Sequence, residues 1–139
     1  MKQIRSAIAK NILKDIKQKK SSKITKLVPA GKQIKSKALA NAVKLGDKLV
    51  IKHITDACRV IGTELGNLGN LLNVDSIILG GGLIEALDKF MVPKIKEAYK
   101  NNALKDIAKG VLIKSVKLGE DAALLGGIAL AEEFLEIKV

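Results

Sequence analysis

Tryptophan is absent from this sequence, and aromatic residues make up only 2% of its 139 positions. A core must therefore be built from Ile, Leu, Val and Ala, and there is little equipment for stacking on nucleic-acid bases. The single cysteine, Cys58, excludes an internal disulfide. With His53 as the only histidine, no Cys/His cluster can hold a structural zinc, and no Cys/His or Ser/His/Asp nucleophile system can be assembled. No apolar run approaches the ~20 residues needed to span a bilayer. Met1 leads into Lys2, Arg5 and Lys10 without the uninterrupted apolar stretch of a signal peptide. The expectation is a reducing, cytoplasmic setting with no membrane contact. Neither GxGxxG nor GxxxxGK[ST] occurs.

What is present suits one globular domain, residues 1–139, of 47% apolar and 28% charged composition. The net charge of +11 is unevenly placed. Residues 1–37 hold twelve Lys/Arg against one acid, Asp15, whereas residues 38–139 hold thirteen of each sign. The chain thus divides into a basic arm and loop (1–37) and a balanced core (38–139). A basic arm can be a polyanion patch, a solvated helix face, or a surface opposite an acidic partner. Without aromatic residues or a nucleic-acid-binding motif, no specific nucleic-acid partner is expected.

Ile4, Ala7, Ile8, Ile12 and Ile16 recur at helical spacing, with Lys10, Lys14 and Lys17 on another side. A loop with Pro29 and Gly31 follows, then a helical stretch from about Ser36 to Leu45. Gly46 ends that helix, and Asp47 caps the next through its side-chain oxygen. The spacing predicts a long helix from Lys48 to Leu72, with Val50, Ile54, Ala57, Cys58, Ile61, Leu65, Leu68 and Leu72 on its apolar face. Cys58 then belongs to the core, and His53, at the border of that face, is structural. Gly62, Gly66 and Gly69 fall together beside the stripe. Each mid-helix glycine costs on the order of 1 kcal/mol relative to alanine, so three on one side point to a neighbouring backbone at close range.

Beyond Asn73 the period changes. Ser76 to Leu79 is a short apolar run ending in Gly80-Gly81-Gly82, and a helical pattern runs from Leu83 through Phe90. Pro93 restarts a helix carrying Ile95 and Tyr99. Val111 to Val116 alternates as a second strand, and Gly119-Glu120-Asp121 opens a last helix whose buried side is Ala122, Leu125, Ala129 and Leu130. The fold class is α/β, a small sheet packed by helices including one long one.

A strand that runs into three glycines leaves backbone N–H groups bare at its C-terminal end, where nucleotides commonly lie. Locally, a tight structural turn explains Gly80-Gly81-Gly82 equally well. The acidic pairs Glu120-Asp121 and Glu132-Glu133 are accounted for by capping and solvation.

Several segments in fixed order go further. Asn67 to Leu83, NLGNLLNVDSIILGGGL, resembles the stretch of the ROK family (repressors and sugar kinases) in which a helix leads through "nllnp" into "iilGGG". Val74 stands where that proline is usual. Gly46-Asp47, Ile84 to Leu87, Pro93 to Ile95 and Lys117 to Gly127 (KLGEDAALLGG) keep the same order, and the arm is similar to the segment that follows the family's zinc motif. The resemblance implies most of the C-terminal lobe of an actin-like, hexokinase-type ATPase. It also implies a nucleotide-binding loop on the adenosine side at Gly80, Gly81, Gly82 and Leu83, ATP with Mg²⁺ as the cofactor of the complete enzyme, and the helix from Gly119 to Leu130 beneath that loop. LGGGLIEALDKF and LGEDAALLGG look closer to the glucokinase-like members than to the repressors.

Other parts of that pattern are absent from these 139 residues. There is no Asp-x-Gly-Gly-Thr phosphate loop, no Glu-Asn-Asp segment with a catalytic aspartate, and no Cys-rich zinc motif. No catalytic or metal-binding residue is therefore assigned. The expectation is a kinase half, inactive without its first lobe or a complementary chain and prone to self-association. A fragment of a sugar-responsive repressor and a non-catalytic binding module are the other readings. Whether the chain is a fragment, a split-gene product or a remnant stays open, as does the sugar.

Overall fold

In the computed structural model, residues 2–116 are described, together with Ile128 and Leu130. The elements run α1 (Lys2–Lys17), α2 (Ile24–Leu27), α3 (Ser36–Lys44), α4 (Lys48–Leu72), β1 (Ser76–Leu79), α5 (Gly82–Asn102), α6 (Lys105–Gly110) and β2 (Leu112–Ser115). The two strands pair in parallel, Ser76 opposite Leu112 and Leu79 opposite Ser115. Parallel neighbours need a long crossover, and α5 with α6 supplies it.

The arm is part of the same core. Ile8, Ala9 and Ile12 of α1, Ile24 of α2 and Ile34 are buried with Leu39, Val50, Ile54, Ile84, Met91 and Ile95. Asp15 fixes the end of α1 to α4: its Oδ2 lies 2.9 Å from His53 Nε2, and its Oδ1 accepts from Lys20 Nζ at 2.9 Å. Lys20 and then His53 hold that carboxyl below its ordinary range.

The long helix follows its sequence pattern in extent but not along its whole buried face. Asp47 caps it, Oδ1 accepting from the N–H groups of Leu49 and Val50. Leu49, Val50, Ile54 and Cys58 are buried, and from Gly62 onward the buried positions are the glycines 62, 66 and 69. Leu68 and Leu72, expected inside, are exposed, as is Leu71. The cause is the close approach of α5: its backbone at Gly62 and the side chains of Asn102 and Tyr99 at Gly66 and Gly69 fill the glycine stripe, so the leucines beside that stripe are turned away from it. A Cβ on Gly62 would lie 2.5 Å from both Ala98 Cβ and the Ile95 carbonyl oxygen. Asn102 closes the far end of this pair, its Nδ2 donating to the Thr63 carbonyl (3.0 Å) and to Asn67 Oδ1 (2.7 Å).

The break in the helix after the glycines falls at Leu87 (φ −129°, ψ 23°), and Pro93 lies inside the continuing segment rather than starting it. Pro93 lacks the N–H that would bond to Lys89 and crowds that carbonyl, so the turn ahead of it is loosened. The dihedral departure is taken up two residues before Lys89, where the Leu87 side chain is itself buried. The short helices α2 and α6 were not visible in the periodicity; four and six residues are too few to show one. The last helix of the sequence pattern falls almost wholly outside the described residues. Leu130 is described, and it is 55% exposed rather than buried. Among the described residues no helix is long and apolar enough to cross a membrane.

Cys58 has no exposed surface, and burial pushes its thiol up to about 11. Native protein should therefore react with a maleimide or disulfide reagent at pH 8 at least ~100-fold more slowly than the urea-unfolded chain. Comparable rates in the two states would contradict the packing of α4.

Candidate functional site

The glycine loop stands where the sheet ends. Leu79, the last residue of β1, is buried, and its carbonyl accepts from Val116 N at 2.9 Å, so the pairing continues one step past β2. Gly81 has φ 99° and ψ 155°, a conformation that a residue with a Cβ rarely adopts, and it is the N-cap of α5 without any side-chain cap. Its carbonyl accepts from Glu85 N, which closes the first turn. A Cβ on Gly80 would touch Val116 at 3.4 Å, whereas one on Gly82 would meet only Ser36 Oγ, at 3.8 Å. Among the described residues, the backbone at Gly82 is thus exposed and meets only the first residue of α3, while Gly80 lies against Val116, just past the end of β2.

The four residues expected here do not have equal parts. Gly80, Gly81 and Gly82 share the rim, while the Leu83 side chain is 2% exposed and belongs to the core. Only the Leu83 main chain can reach a ligand. Two side chains that sequence reasoning did not single out are brought to the same end of the sheet. Ser36 approaches from α3, 46 positions earlier in the sequence, and Lys35, the N-cap of α3, likewise has no side-chain cap. Asp88 accepts from Ser115 Oγ at 2.6 Å, tying α5 to the end of β2. No local signal marks either residue, because both depend on how α3 and β2 pack against α5.

The electrostatics are mixed. Two helix N-termini, of α3 and α5, carry partial positive charge toward this region. Glu85 already sits in the first turn of α5. Among the described residues no three His, Cys, Asp or Glu side chains gather in a way that could hold a metal. The acidic pairs Glu120-Asp121 and Glu132-Glu133 lie outside the described residues.

The sequence pattern of the ROK family matches residues 6–134. The chain belongs to the ROK family. A glucokinase of Halalkalibacterium halodurans is 30% identical over 92 residues, which are 66% of this chain and 28% of that protein. A crystal structure from Cytophaga hutchinsonii, described as that of a sugar kinase, superposes with a TM-score of 0.72 at 25% identity over 94% of this chain and 41% of the other. A ROK family transcriptional regulator, a homologue of the E. coli MLC protein, gives 0.76 at 21% identity over 92% and 31%. This ROK chain thus spans between about a quarter and two fifths of the length of these relatives. Its α/β arrangement, two parallel strands packed by helices, superposes on part of both the kinase and the regulator structures.

Proposed function

We propose that this ROK chain forms the adenosine wall of an ATP-dependent, glucokinase-like sugar kinase, with the nucleoside lying over Gly80, Gly81 and Gly82. The observation that carries the reading is the bare backbone after β1, open over Gly82 as far as Ser36. MgATP supplies the transferable phosphoryl group when bound. The residues of this chain bind and orient the nucleoside: the glycines give it a surface without side chains, and Ser36 offers a hydroxyl at the edge. The phosphate loop, the base for the sugar hydroxyl and the magnesium ligands come from sequence outside these 139 residues, so the chain alone phosphorylates no hexose. A complementary lobe is its natural partner. The exposed Leu71 and Leu72 of α4 and Ile78 of β1 favour self-association when that partner is missing. The fit to the regulator favours a second reading, a repressor's sugar-sensing part, which rests on fold alone.

The test is amide NMR during titration with MgATP. One wall buries little ligand surface, so the dissociation constant should be ~1 mM or weaker, with shifts clustered at residues 79–84. Gly81→Val is a poor control, because its positive φ strains the fold whatever binds. Gly82→Val fits the existing backbone and fills the space above the loop. Loss of the clustered shifts in Gly82→Val supports the site. Equal shifts in both proteins, or hexose phosphorylation by the chain alone, would overturn the proposal.

A further inference from the structure

A cavity of about 500 Å³ lies at the opposite end of the sheet from the glycine loop. It opens between the C-terminal half of α5, α6 and the start of β2. It is lined by apolar residues, among them Tyr99, Ala108, Val111 and Ile113, and by four lysines, Lys96, Lys100, Lys105 and Lys109. The lysines form two pairs at i,i+4, one on each helix, and such like-charged pairs repel. Only Lys109 has an ion-pair partner among the described residues, Asp106 at 3.4 Å on the same helix. Lys100 and Lys109 sit in the last turns of their helices, where the dipole favours a cation. Lys105 has no such support: it is the first residue of α6, where a positive charge is disfavoured. Four cations around one apolar cavity, one of them placed against its helix, form an arrangement that an external anion would stabilise. A volume of about 500 Å³ is in the range of small-molecule sites.

We propose that this cavity is a second ligand site, for a small polyanion carrying two or more phosphate groups, separate from the glycine loop. Four lysines lining one cavity, two on each of two helices, suit a ligand with its charge spread over several phosphates better than a single monoanion. The basic arm is the obvious competitor for such a ligand, but it offers a solvated helix face and not a cavity.

Titration of the full chain with inorganic tripolyphosphate at low salt, followed by amide NMR, tests the proposal without involving adenosine. A saturable set of shifts at residues 96–113 is expected, with residues 79–84 unmoved. Lys105→Gln together with Lys100→Gln should weaken binding at least about tenfold, since each close charge pair contributes a factor of several even in water. Lys105→Gln alone should weaken binding without lowering the thermal midpoint, an outcome that a purely structural lysine would not give. Shifts scattered without saturation over Lys10, Lys14 and Lys17, or binding unaffected by the double variant, would overturn the site. Because MgATP reports on residues 79–84 and tripolyphosphate on 96–113, failure of one proposal is distinguishable from failure of the other.

Discussion

Gly62→Ala should destabilise the protein by about 3 kcal/mol or more, enough to leave a marginal domain of this size largely unfolded at 37 °C. Two effects of opposite sign compete. Alanine is better than glycine in the middle of a helix by roughly 1 kcal/mol, which alone would stabilise α4. The added methyl, however, would lie 2.5 Å from Ala98 Cβ, 2.5 Å from the Ile95 carbonyl oxygen and 2.9 Å from Tyr99 N. Two of those neighbours are main-chain atoms of α5, which cannot rotate aside as a flexible side chain would. The helices must separate along the longest contact of the fold, and the packing of Ile54, Cys58, Ile95 and Tyr99 loosens with them. The steric term therefore outweighs the propensity term several-fold. Gly110→Ala is the control: nothing lies within 4 Å of its Cβ position, and it ends a short helix. It should change stability by no more than about 0.5–1 kcal/mol, in the stabilising direction. Urea unfolding of the three proteins at pH 7 measures both values. A Gly62→Ala protein as stable as the parent would show that α4 and α5 do not approach as described.

How far the sequence foretold this depends on whether the decisive contact was periodic. The limits of α4 could be read because twenty-five residues carry many turns of pattern, with Asp47 at one end as a side-chain cap. The three glycines were legible for the same reason, since three costly residues on one side of a helix need a compensating neighbour. What the neighbour does to the rest of the helix was not legible. Leu68 and Leu72 fit the apolar face on a projection, yet α5 takes the glycine side and leaves them in solvent. At the candidate site, strand, glycines and helix are consecutive and were visible together. Ser36 is 46 positions away from Gly82, and only the packing of α3 on α5 brings it there. The lysine-lined cavity was hidden because α6 has too few residues to be seen as a helix, and without α6 its lysines have no common side.

Asp47→Ala should cost about 3–4 kcal/mol, because this one carboxylate closes two elements at once. Its Oδ1 accepts from Leu49 N (3.0 Å) and Val50 N (3.1 Å), capping α4. Its Oδ2 accepts from Ser22 Oγ (2.6 Å), Lys23 N (2.6 Å) and Ile24 N (3.1 Å), holding the start of α2 against it. Loss of an N-cap costs about 1 kcal/mol. Each donor then left without a partner in a site only 2% exposed adds roughly another 1 kcal/mol or more. Burial pushes the carboxyl up, but the hydrogen bonds from Ser22, Val50, Lys23 and Ile24 together outweigh it, and the group is held below the ordinary carboxylate range. With the folded value depressed, the unfolded chain binds more protons between the two values, so stability rises with pH there. The contribution of Asp47 is complete above an unfolded value of about 3.9 and is lost as the pH falls through the folded one. Asp47→Asn resembles the protonated state, with one acceptor oxygen kept and the other replaced by a donor. The stability gap between wild type and Asp47→Asn should therefore be wide at pH 7 and should narrow steadily below pH 4, while the other acids, shared by both proteins, cancel. Urea unfolding of the pair from pH 7 down to pH 2.5 measures it. A gap that stayed constant across that range would mean that Asp47 is not ionised in the fold, and the double cap would have to be abandoned.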